Sequence, residues 1–200
     1  MKYQDNIRDV LDLEPDYMGF ICYAGSSRYV GDNWKGIPQD FPESTKKVGV
    51  FVNESMDQLM SKWLKFPFDL WQLHGNETPD YCRELSEMGK VVIKAFPVET
   101  AADLKGWEAY KPWVQYFLLD TKTPGYGGSG RAFDWKILND YDNDIPMILS
   151  GGISLEMVPQ LSRLSNLNLA FIDVNSRFER EPGFKNVAKL SELKRKLDTI

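Results

Sequence analysis

The stretch VQYFLLDTKTPGYGGSG, residues 114–130, decides how the rest of the chain is read. A short apolar β-rich run, Val114–Leu119, ends in an acid, Asp120, and a long glycine-rich loop follows with no competing hydrophobic pattern. Runs that are apolar throughout, rather than alternating, belong to parallel strands covered on both faces. Working outward, similar runs recur at Tyr17–Tyr23, Lys47–Val52, Leu70–Leu73, Val91–Ala95, Pro146–Leu149 and Leu169–Val174. Amphipathic stretches that open at capping residues lie between them. Ser55 precedes one, Thr78-Pro79 opens another, and Thr100 and Ser154 precede two more. A first helix is expected near Tyr3–Leu13 and a basic one from about Asn186 to Leu197. Strand alternating with helix is the pattern of βαβ units and a parallel sheet.

Seven strands exceed the usual five or six of an open doubly wound sheet, so a closed α/β barrel is favoured. The chain of 200 residues stands at the lower edge of about 200 residues for an eight-unit barrel. It also begins with a helix, whereas each barrel helix follows a strand. The expected fold is therefore a (β/α)8 TIM barrel lacking strand 1, with residues 1–200 as a single domain.

Composition narrows the function. The 24 Lys+Arg against 29 Asp+Glu leave a formal charge of −5, which argues against nucleic acid as a partner. The apolar runs are too short to span a membrane, and MKYQDNIRDV has no signal-peptide core, so a cytoplasmic protein is expected. Two cysteines and one histidine exclude four-Cys and multi-His metal sites, and no metal is expected.

In parallel α/β folds, function gathers beyond the C-terminal ends of strands. Asp120 stands there as a candidate general acid, its proton retained by desolvation at an apolar mouth, or else as a helix or turn cap. The loop after it, with Gly127, Gly128, Ser129 and Gly130, has the length of a lid. Gly151-Gly152 and Asn175-Ser176 close the last two strands, where barrels commonly hold a phosphate, although a glycine pair alone also makes an ordinary turn. Arg28 suits a substrate carboxylate or a structural ion pair. His74 is either a substrate contact or a structural hydrogen-bonding group. Cys22 and Cys82 read as packed thiols.

Together RYV at 28–30, KKVGVFVN at 46–53, QLHGNE at 72–77, VIKAF at 92–96, LLDTKTPGYGGSG at 118–130, FDW at 133–135 and LSGGI at 149–153 resemble the phosphoribosylanthranilate isomerase family. The resemblance implies a cofactor-free Amadori rearrangement of a small phosphorylated substrate in tryptophan biosynthesis, by a monomer or homodimer. It assigns Asp120 as general acid, Arg28 to the anthranilate carboxylate, Asp173 to the anthranilate amine, and Gly151, Gly152, Asn175 and Ser176 to the phosphate. The family's general base is a cysteine in a Cys-Gly pair ending the first strand, and MKYQDNIRDV fits the sequence just after it. The expectation is a chain whose base lies outside residues 1–200, with a catalytically inactive phospho-sugar binder as the alternative. Arg177 stands where many members carry glycine, either adding a cation to the phosphate site or crowding it.

Overall fold

A computed structural model describes residues 1–122, 132–141, 144–164 and 166–199. Seven parallel strands follow one another in chain order: β1 (Tyr17–Ile21), β2 (Lys46–Phe51), β3 (Leu70–Leu73), β4 (Val91–Val98), β5 (Tyr116–Thr121), β6 (Met147–Leu149) and β7 (Leu169–Ile172). They form a curled sheet of the TIM-barrel kind, and all seven sequence-predicted strands are present. Among the described residues β1 bonds only to β2, and β7 only to β6. Tyr17 of β1 and Phe171 of β7 nevertheless stack across the inside, 4.3 Å between ring centroids.

Strand side chains alternate in direction, and each direction finds its own core. Val48, Leu70, Ile93, Ala95, Leu118 and Ile148 fill the barrel interior together with Tyr17, Val50, Tyr116 and Phe171. The intervening residues, among them Phe20, Phe51, Trp71, Leu73, Phe117 and Leu149, pack outward against the helices.

The helices start where the sequence predicts. α1 (Gln4–Leu11) buries Asn6, Ile7 and Val10. Ser55 and Gln58 form a capping box on α2 (Met56–Lys65), and Thr78 caps α3 (Pro79–Glu87), with proline in its first turn. Asn186 caps the C-terminal helix Val187–Leu197, whose last turn carries Lys194, Arg195 and Lys196.

Two predicted helices are different. After Thr100 the chain makes two 3-10 segments, Ala101–Leu104 and Glu108–Trp113, because Gly106 adopts φ +84° and Pro112 interrupts the second. The stretch after Ser154 contains one α-helical turn, α4 (Val158–Leu161), between 3-10 segments, with Pro159 at its start. The sequence reading also missed an antiparallel hairpin of β8 (Glu179–Glu181) and β9 (Phe184–Lys185), turned at Pro182-Gly183 with Gly183 at φ +85°. Asn6 ties α1 to it: its amide donates to the Lys185 carbonyl (3.0 Å) and its oxygen accepts from the Lys185 N–H (2.6 Å).

Lys94 of β4 points into the outer core, where its side chain is only 2% exposed. Its ammonium donates to the carbonyls of Leu73 (3.2 Å), Gly75 (2.7 Å) and Ala95 (3.0 Å) and to Glu77 (3.1 Å). Glu77 in turn accepts from the backbone N–H groups of Asn53 and Gly75. One buried ion pair thus holds the loop leaving β3 to β4 and to the loop leaving β2. Burial pushes the Lys94 ammonium below its ordinary pKa, and the Glu77 carboxylate opposes that shift. Lys94→Met leaves that carboxylate buried without its cation and is expected to cost about 3–5 kcal/mol in urea unfolding. A loss below about 1 kcal/mol would contradict this account.

Candidate active site

The period-two rule that fills the barrel also builds its mouth. Leu70-Gln72-His74, Tyr116-Leu118-Asp120, Ile148-Ser150 and Phe171-Asp173 each run along one direction of a strand. Their first members are apolar and interior, and their last members are polar and lie at the C-terminal rim.

There, His74 Nε2 lies 3.1 Å from Asp120 Oδ2, and His74 Nδ1 lies 2.9 Å from the Gln72 amide nitrogen. With that amide donating to Nδ1, the ring proton sits on Nε2 and is directed at Asp120. The other Asp120 oxygen accepts from the Thr121 N–H at 2.9 Å. His74 therefore serves as a hydrogen-bonding group that links Gln72 to Asp120 at the rim.

Asp173 accepts from the Ser150 hydroxyl at 3.0 Å. Desolvation pushes its carboxyl above the ordinary range, nearby Asp120 adds to the shift, and Lys185, Ser150 and His74 oppose it. Gly151 and Gly152 follow Ser150 with φ of +85° and +64°. A Cβ on Gly151 would lie 2.5 Å from the Thr121 backbone nitrogen, so only glycine lets this loop pass over the end of β5.

Arg28, in the loop after β1, is held bidentately by Glu179: Nε lies 3.1 and 2.9 Å from the two carboxylate oxygens, and Nη2 is 2.7 Å from Oε2. Lys185 approaches the same carboxylate at 3.2 Å and donates to Asn175 Oδ1 at 2.5 Å. Burial alone would raise Glu179, but the Arg28 hydrogen bonds and the Lys185 charge hold it below the usual range. Burial lowers Lys185, opposed by Glu179 and Asp173. Ser176 opens the 3-10 turn Ser176–Phe178 beside this cluster. Arg177 is exposed, and its carbonyl accepts from Lys189 at 3.3 Å.

Of the sequence-predicted residues, Arg28, His74, Asp120, Asp173, Gly151, Gly152, Asn175 and Ser176 all lie at strand ends on this rim. Gly127, Gly128, Ser129 and Gly130 lie outside the described residues. Sequence reasoning missed Gln72, Glu179 and Lys185. The alternation ending in His74 signalled Gln72, and Pro182-Gly183 signalled the hairpin turn that supplies the other two.

Neither cysteine serves this rim. Cys22 continues the outward direction of Met18 and Phe20 into the helix layer, and Cys82 is wholly buried on α3. Desolvation pushes both thiols up to about 12.

A curled parallel sheet with coupled carboxylates, a histidine and cations at its strand ends defines an α/β-barrel enzyme suited to acid–base chemistry. Residues 2–196 match the family described as N-(5'phosphoribosyl)anthranilate (PRA) isomerase, and the chain belongs to this family of tryptophan-biosynthesis isomerases. It is 42% identical over 192 residues to the N-(5'-phosphoribosyl)anthranilate isomerase of Parabacteroides distasonis, covering 95% of this chain and 87% of that one. The phosphoribosyl anthranilate isomerase of Thermus thermophilus superposes with a TM-score of 0.84 at 26% identity, over 100% of this chain and 96% of that one. A phosphoribosyl anthranilate isomerase in complex with reduced 1-(o-carboxyphenylamino)-1-deoxyribulose 5-phosphate superposes with a TM-score of 0.81 at 26% identity, with the same coverage.

Iodoacetamide at pH 8 is expected to leave Cys22 and Cys82 unlabelled in the folded protein and to label both in urea, read by mass spectrometry. Rapid native labelling of either thiol would reopen it as a candidate base.

Proposed function

We propose that this chain converts N-(5′-phosphoribosyl)anthranilate to 1-(2-carboxyphenylamino)-1-deoxyribulose 5-phosphate with Asp120 as the general acid. The observation that carries the reading is the Gln72–His74–Asp120 chain at the barrel rim, directly under Gly151. Asp120 gives a proton to the ribose ring oxygen as the C1′–O bond breaks, and the anthranilate nitrogen lone pair forms a C1′=N iminium. Loss of the C2′ proton to a base yields the enolamine. Tautomerisation, with a proton returned to C1′, then gives the C2′ ketone. Arg28 takes the anthranilate carboxylate and His74 orients Asp120 against the substrate. Asp173 accepts from the anthranilate amine, which fits a carboxylate already anchored by Ser150. The backbone of Gly151 and Gly152, with Asn175 and Ser176, receives the phosphate. The chemistry is proton transfer throughout and needs neither metal nor organic cofactor. Residues 1–200 are read as one domain acting in the cytoplasm on this small phosphorylated molecule, as a monomer or homodimer; among the described residues no helix is long and apolar enough to cross a membrane.

The base belongs to an eighth strand lying between β1 and β7 and ending in a Cys-Gly pair. Two features support this. The facing edges of β1 and β7 carry no strand partner among the described residues, although Tyr17 and Phe171 hold them in one curvature. The Met1 backbone nitrogen also donates to the Gly19 carbonyl at 2.6 Å, so the middle of β1 accepts a backbone donor from outside its pairing with β2.

Asp120→Asn is expected to lower turnover by about 10²- to 10⁴-fold while calorimetric affinity for the reduced substrate analogue stays within about threefold. Turnover unchanged by the substitution would remove Asp120 from the acid role. A polypeptide carrying an apolar strand and Cys-Gly ahead of residue 1 is expected to turn over about 10²- to 10⁴-fold faster than residues 1–200 alone. Equal rates would eliminate the eighth-strand reading.

A further inference from the structure

Glu179 is a buried carboxylate, 4% exposed, with no part in the proton transfers above. It accepts from Arg28 and Lys185 and from the Gly183 N–H at 3.0 Å. The Gly183 bond closes the hairpin turn onto the carboxylate, and the two Asn6 bonds fasten the same hairpin to α1. The carboxylate is thus held by Lys185 and Gly183 before it meets Arg28.

How it meets Arg28 matters. A guanidinium offers two bidentate edges, Nε with Nη2 on the side and Nη1 with Nη2 at the end. Glu179 takes the side edge through Nε and Nη2. Among the described residues Nη1 has no hydrogen-bond partner, so the end edge remains for a second carboxylate. A long arginine on a loop otherwise gives up much of its rotamer freedom when it is ordered. Here that ordering is done before a ligand arrives. Lys185 already faces both Glu179 and Asp173, so a further negative group is received by the open end edge of Arg28 rather than by surplus charge.

We propose that Glu179 is a positioning residue for substrate recognition: by occupying the side edge of Arg28 it aims the end edge at the substrate carboxylate, and Lys185 with Gly183 holds it in place to do so. This rests on the reading of Arg28 as the group that meets that carboxylate. The requirement is geometric as well as electrostatic. A lysine at 28 could not serve both carboxylates in one plane, and a shorter acid at 179 would draw the guanidinium back from the rim.

The test uses calorimetry with two probes and does not depend on turnover. One probe is reduced 1-(o-carboxyphenylamino)-1-deoxyribulose 5-phosphate, and the other is the same molecule without its ring carboxylate. The parent protein is expected to prefer the carboxylated probe. Glu179→Gln is expected to weaken the carboxylated probe about 10- to 100-fold, the range for removing a group that orients a ligand contact, and to change the other less than about threefold. Glu179→Asp, which keeps the charge for Lys185 if the amide variant fails to fold, is expected to show the same selective loss at smaller size. Equal weakening of both probes by these variants would mean that Glu179 only supports the fold, and no weakening would also overturn the proposal. If the parent protein shows no preference between probes, the reading of Arg28 itself fails, and the role of Glu179 falls with it.

Discussion

A parallel strand buried on both faces must satisfy two cores at once, and that constraint organises this molecule. Alternate side chains of β1–β7 go to the barrel interior and to the helix layer. Neither core has water to solvate a polar group. Inward-facing polar residues are therefore confined to the last positions of each strand, where the rim opens. Gln72, Asp120, Ser150 and Asp173 stand at such positions for the same reason that Leu70, Leu118, Ile148 and Phe171 stand behind them. The arrangement of the site is a consequence of how the barrel is filled.

Where charges do enter the interior, each meets an opposite charge. Lys94 meets four acceptors and thereby fixes the loop that carries His74 and Gly75. Arg28, Glu179 and Lys185 form a second such group at the rim. A buried charge without its partners costs several kcal/mol, so these groups have little freedom to rearrange. That rigidity keeps the Asp120 carboxylate, the arginine and the glycine loop at set distances, although they come from three different strand ends.

The seven strands were legible because continuous apolar runs bounded by capping residues admit few other readings, and the caps at Ser55, Thr78 and Asn186 marked real helix starts. The segments after Thr100 and Ser154 misled because amphipathic spacing outweighed Gly106, Pro112 and Pro159 in the reading, whereas in the fold those residues break the helices into single turns. The β8–β9 hairpin was hidden for another reason. Its strands are three and two residues long and rich in charge, so hydrophobic periodicity has nothing to register.

By itself the sequence determined the parallel α/β layout, the rim positions of Asp120, His74, Arg28, Asp173 and the glycine pair, and the family to which the chain belongs. Local patterns carry that information, because strand length, caps and motif spacing are properties of neighbours along the chain. Only the tertiary structure decided that His74 meets Asp120, that both cysteines face the helices, and that Arg28 is held by Glu179 across 151 residues of sequence. Such pairings depend on which side chains desolvation forces together once the sheet curls, and no local pattern records them.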